Sequence, residues 1–63
     1  MTSFEKSIRE EIQLLQQEIR IARDYGRREQ LLAYDGQLQG YLTALRRCLS
    51  EKVYRTITEG LVD

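Results

Sequence analysis

The sequence predicts an all-α chain, an antiparallel helical hairpin over about residues 3–25 and 28–58, paired with a second copy as a homodimeric four-helix bundle. Three observations lead there. Apolar residues recur in alternating steps of three and four along both halves of the chain. Proline is absent and 32% of the residues are charged, a composition that suits helices with one wet face. Finally, a chain of 63 residues buries too little surface for a lone hairpin to be well supported, and small folds usually add a disulfide, a metal or a partner chain. One Cys and no His leave only the partner chain. Residues 1–63 read as a single hairpin domain.

The first helix is defined by Ile8, Ile12, Leu15, Ile19 and Ala22, which trace one stripe. Thr2 followed three residues later by Glu5 has the spacing of a capping box. Glu5, Glu10 and Glu11 precede Arg20 and Arg23, the order that the helix dipole favours. Continuing the stripe lands on Gly26, Glu29 and Ala33, so the chain must reorient, and Asp24-Tyr25-Gly26-Arg27 is the expected turn, with Gly26 supplying a left-handed residue.

A second stripe starts at Leu31 and passes through Leu38, Leu42, Leu45 and Leu49 to Val53 and Ile57, flanked by Tyr34, Tyr41 and Cys48. Asp35-Gly36 is a rival turn signal, but Leu31 and Leu38 stay in register across it, which favours one continuous helix from about 28 to 58. At 1.5 Å per residue that helix is about 45 Å long against about 32 Å for the first, so Val53, Tyr54 and Ile57 are expected to overhang and to meet a second copy. Gly60-Leu61-Val62-Asp63 is expected to be a frayed tail over 60–63.

The composition excludes several functions. Ten Lys/Arg balance ten Asp/Glu, which gives no long-range attraction to nucleic acid or anionic lipid. No apolar run reaches the roughly 18 residues of a membrane span, and the start of the chain lacks the apolar core of a secretory signal. With its single thiol, the chain is expected in the cytoplasm. The commonest general base, His, is absent, and two helices enclose no large pocket, so an enzyme, a metal and a cofactor are not expected. Cys48 is read as a small buried hydrophobe.

The residues left over are the functional candidates. Leu14, Ile21 and Tyr25 form a second apolar strip off the main stripe of the first helix, and with Arg27 and Arg28 they make a candidate edge for docking another protein. Gly36 and Gly40 lie on the outward side of the second helix. Asp35 stands in line with Leu31 and Leu38, where an apolar residue is expected, and an Arg from the turn is its expected partner. Two basic clusters, Arg20, Arg23, Arg27 and Arg28 at the turn and Arg46, Arg47, Lys52 and Arg55 further on, could contact phosphates if a dimer aligned them.

In length and hairpin layout the chain resembles the small plasmid copy-number regulators that dimerise into four-helix bundles and bind paired RNA loops. The stretch Leu31-Leu32-Ala33-Tyr34-Asp35-Gly36-Gln37-Leu38-Gln39-Gly40-Tyr41-Leu42 is similar in its apolar frame to the second helix of the sporulation aspartyl-phosphate phosphatases, whose signature is Ser-Gln-x-Leu-Asp. Leu38 matches, but Asp35 and Gly36 replace the Ser and Gln, and Gln39 stands where that family has its functional Asp. The expectation is a small non-enzymatic regulator, adaptor or inhibitor acting through protein–protein binding as a homodimer. Alternatives are an RNA-binding dimer using the Arg clusters and a phosphatase-like regulator of a phosphorylated response regulator.

Overall fold

The computed structural model describes residues 1–62 and is all-helical: α1 (Ser3–Asp24), α2 (Arg28–Cys48) and α3 (Glu51–Thr58) follow one another with no strand among the described residues. The Thr2–Glu5 capping box forms as expected. Thr2 Oγ1 accepts from the Glu5 N–H at 3.1 Å and the Glu5 carboxylate accepts from the Thr2 N–H at 3.2 Å.

The turn falls at Tyr25-Gly26-Arg27. Gly26 has φ +65°, the Gly26 N–H donates to the Arg23 carbonyl and the Arg27 N–H to the Ala22 carbonyl, which closes the end of α1 with the paired bonds of a Schellman motif. Asp35-Gly36 lies inside α2, so the helical register carried by Leu31 and Leu38 outweighs the local turn signal.

The expected continuous helix over 28–58 is corrected by the structure. Leu49 is extended (φ −111°, ψ 154°) and Ser50 is the N-cap of a separate helix, its hydroxyl accepting from the Val53 N–H at 3.3 Å. The reason lies in length. α1 and α2 have 22 and 21 residues, about 33 and 32 Å, so a straight continuation would carry Val53 and Ile57 past the start of α1 into water. Folding back leaves Ile57 with 0% exposure and buries Tyr54 and Thr58. Burying one Ile side chain contributes about 1.5–3 kcal/mol, against about 0.5–1.5 kcal/mol for each backbone hydrogen bond given up at the break. No overhang remains.

α3 runs parallel to α1 and is fastened to it by side chains. Arg9 Nη1 donates to the carbonyls of Ile57 at 2.9 Å and Glu59 at 2.8 Å, placing a cation at the C-terminal end of α3, and Gln16 Nε2 donates to the Leu61 carbonyl at 2.7 Å. The frayed tail expected over 60–63 is therefore also corrected for residues 60–62. Gly60 turns with φ +77°, the N–H groups of Leu61 and Val62 donate to the Thr58 carbonyl, and both side chains are partly buried against the core. Asp63 lies outside the described residues.

Ile8, Ile12, Ile19, Leu38, Leu42 and Ile57 form the buried centre with Tyr54, and Leu15, Leu31, Leu45, Leu49 and Val53 pack against it half-buried. The molecule measures 36 × 19 × 19 Å. Among the described residues no helix is long and apolar enough to cross a membrane.

Candidate interaction surface

α3 covers one flank of the hairpin and leaves the other open. On α1 the covered flank carries Arg9 and Gln16. On α2 it carries Arg46, whose guanidinium lies 5.2 Å from the centre of the Tyr54 ring, and Asp35, which shares a groove of about 480 Å³ with Gly60 and Leu61. At about 100° per residue, Leu14, Ile21 and Tyr25 lie roughly 140–180° round α1 from Gln16, and Tyr41 about 140° round α2 from Arg46. These residues, with half-buried Leu15 and Tyr34 between them, face away from α3.

The strip is wet. Leu14 is 55% exposed, Ile21 37% and Tyr25 73%. Arg27, at the turn, stacks its guanidinium over the Tyr25 ring at 5.5 Å, which joins the aromatic end of the strip to a cation. Arg28 is exposed one residue further on. Of the proposed docking residues, Tyr25 and Arg27 are thus in contact, while Leu14 and Ile21 are linked only by sharing a helix face. Tyr41 is near Glu11: burial, and secondarily the Glu11 carboxylate, push its phenol above the usual tyrosine range.

Other expectations change. Cys48 is exposed, a correction, because it lies about 160° round α2 from Arg46, on the flank that α3 leaves bare. Asp35 is exposed and shares its groove with Arg20 and Arg23, yet the one ion pair among the described residues is Arg55–Glu51 at 2.7 Å, so the expected Arg partner for Asp35 is not formed. Gly36 and Gly40 face open space, with nothing within 4 Å of where a Cβ would stand. Gln39, at the position of the phosphatases' functional Asp, is exposed, and its carbonyl accepts the Thr43 hydroxyl. Among the described residues no group of three or more Cys, Asp or Glu is gathered to hold a metal.

Sequence reasoning missed the buried Tyr54 hydroxyl, which has no hydrogen-bond partner, and the Arg9 clamp on α3. Neither carries a motif, since both depend on where α3 folds back. No protein-family profile, curated protein or solved structure matches the chain.

Proposed function

We propose that this chain is a small, non-enzymatic regulatory or adaptor protein of the cytoplasm that works by protein–protein binding through the flank of the hairpin opposite α3. The observation that carries the reading is the exposed strip Leu14, Ile21 and Tyr25, capped by Arg27 and Arg28. Large aliphatic groups aligned on a helix match helix-in-groove recognition, and the Tyr25–Arg27 pair that ends the strip is of the residue types that most often dominate binding energy. Half-buried Leu15, Tyr34 and Tyr41 beside the strip form the second part of the reading, a homodimer in which two hairpins pack as four long helices with each α3 outside.

The surface area supports an uncovered face. The chain exposes 4915 Å², whereas a compact monomer of 7.5 kDa is expected to expose about 4,250 Å². Exposed Leu14, Ile21 and Tyr25 contribute to that excess, as does the elongated 36 × 19 × 19 Å shape.

The test is the double variant Leu14→Ser with Ile21→Ser. Partner capture should fall by at least about thirtyfold, corresponding to roughly 2 kcal/mol, while helicity stays constant. A double variant that captures the partner as well as the parent chain refutes the strip. The second reading, RNA binding by a dimer, is favoured by Arg20, Arg23, Arg27 and Arg28 standing outside the ion pair found among the described residues. Steep loss of capture with added salt, and loss after nuclease treatment, would select that reading.

A further inference from the structure

We propose that residues 51–62 are an exchangeable element: in a dimer, α3 and the turn that follows it leave their own hairpin and dock into the equivalent groove of a second copy, with Leu49 and Ser50 as the hinge. The proposal uses contacts different from those of the face-to-face pairing above and does not depend on it.

The groove's fit to its occupant is already on display, since the chain's own α3 fills it. Every contact that seats α3 on α1 joins residues from two segments separated by the hinge. Arg9 holds the Ile57 and Glu59 carbonyls, Gln16 holds the Leu61 carbonyl, and Ile57 is fully buried. A second copy presents the same residues, so each contact can be remade between chains without change, which is the condition for exchange of an identical element.

The hinge permits it. Only Leu49 and Ser50 separate α2 from α3, neither is Gly or Pro, and both have negative φ. A rotation of ψ from 154° at Leu49 and 155° at Ser50 into the helical range would join α2 to α3 end to end. The apolar register is ready for that state, because Leu45, Leu49, Val53 and Ile57 keep helical spacing across the break. In the exchanged dimer the joined helix of each copy lays Val53 and Ile57 on α1 of the other, and the two hairpins sit end to end. The intact Ser50 cap and the loss of association entropy favour the closed monomer at low concentration, and mass action favours exchange as concentration rises.

Proline at the hinge separates the two states. The closed form accommodates Ser50→Pro in its backbone, since residue 50 has φ −65° and residue 49 is already extended, and gives up only the Ser50 cap. Proline within the joined helix is excluded, so Ser50→Pro should weaken dimerisation by a hundredfold or more while α1 and α2 stay helical. Ser50→Ala removes the cap that only the closed form uses and should strengthen dimerisation about tenfold. In a dimer mixed from isotope-labelled and unlabelled copies, NMR should detect contacts from Val53 and Ile57 methyls of one copy to α1 of the other. Scattering should give a particle on the order of 70 Å long, about twice the extent of one copy.

A dimer whose α3–α1 contacts are all intramolecular, or whose dissociation constant is unmoved by Ser50→Pro, overturns the exchange while leaving face-to-face pairing intact. A dimer lost with Ser50→Pro and indifferent to changes at Leu15 and Tyr41 does the reverse. Ser50→Ala remaining monomeric at millimolar concentration also overturns the exchange.

Discussion

Single residues here act mainly through backbone hydrogen bonds, and their effects differ in sign. Thr2→Ala removes the cap on α1 and should lower stability by about 1 kcal/mol in chemical denaturation. Hydrogen bonding to Thr2 holds the Glu5 carboxyl below its ordinary range. A lowered folded pKa means that Glu5's contribution is fully present above the ordinary carboxylate pKa and is lost as pH falls through the lowered value, so the first turn of α1 should loosen below about pH 4.5. Glu5→Gln, which can still accept the Thr2 N–H, should remove that acid sensitivity; amide exchange in residues 3–6 reads both. Gly36→Ala and Gly40→Ala should each stabilise by about 0.5–1 kcal/mol, since both are helical and a methyl meets nothing. Gly26→Ala should destabilise by about 1–2 kcal/mol because φ is +65° there. The capping box and the Gly26 turn were legible in the sequence because each is decided by a few adjacent residues. The burial of Tyr54 was not, because it is fixed by α3 folding back onto α1 rather than by its sequence neighbours.

Among elements, α3 is the most informative. It is held by one fully buried side chain, by Tyr54 and Thr58, and by three hydrogen bonds from Arg9 and Gln16. Ile57→Ala should cost about 2–5 kcal/mol, and Arg9→Met about 1–2 kcal/mol because its bonds are partly solvated. Both should raise amide exchange in residues 53–58 before it rises in α1 or α2. Tyr54→Phe should be neutral or stabilising, because the hydroxyl it removes is buried without a partner. An unaltered exchange pattern in Ile57→Ala would mean that α3 is not a separable unit. The α2–α3 break was masked in the sequence by its own regularity: Leu45, Leu49, Val53 and Ile57 keep helical spacing straight through Ser50. The one local cue was Ser50 ahead of Glu51, a weak N-cap signal without a Glu or Gln at the third helical position. Periodicity reports which face of a helix is apolar; it does not report whether the partner for that face lies ahead along the axis or behind.

For the whole molecule, the core stripes were legible and the candidate strip Leu14, Ile21 and Tyr25 is as exposed as its misfit to the main stripe implies. No overhanging helix calls for a second copy, since α3 covers that apolar run within the chain. The surface left for association is the flank that α3 leaves bare, where Leu15, Tyr34 and Tyr41 are only half-buried beside an exposed Leu14. If that flank closes on a second copy, folding and association are linked, and the thermal midpoint must rise with protein concentration. For a domain of this size 1 kcal/mol moves the midpoint by about 4–8 °C, so a hundredfold dilution, equivalent to about 2.7 kcal/mol of association free energy, should be plainly visible in calorimetry. Tyr41→Asp places a charge in the middle of the bare flank, away from the α3 contacts, and should abolish the concentration dependence while α1 and α2 remain helical. Sedimentation as a monomer at high micromolar concentration, with a midpoint that dilution does not move, would refute the face-to-face homodimer.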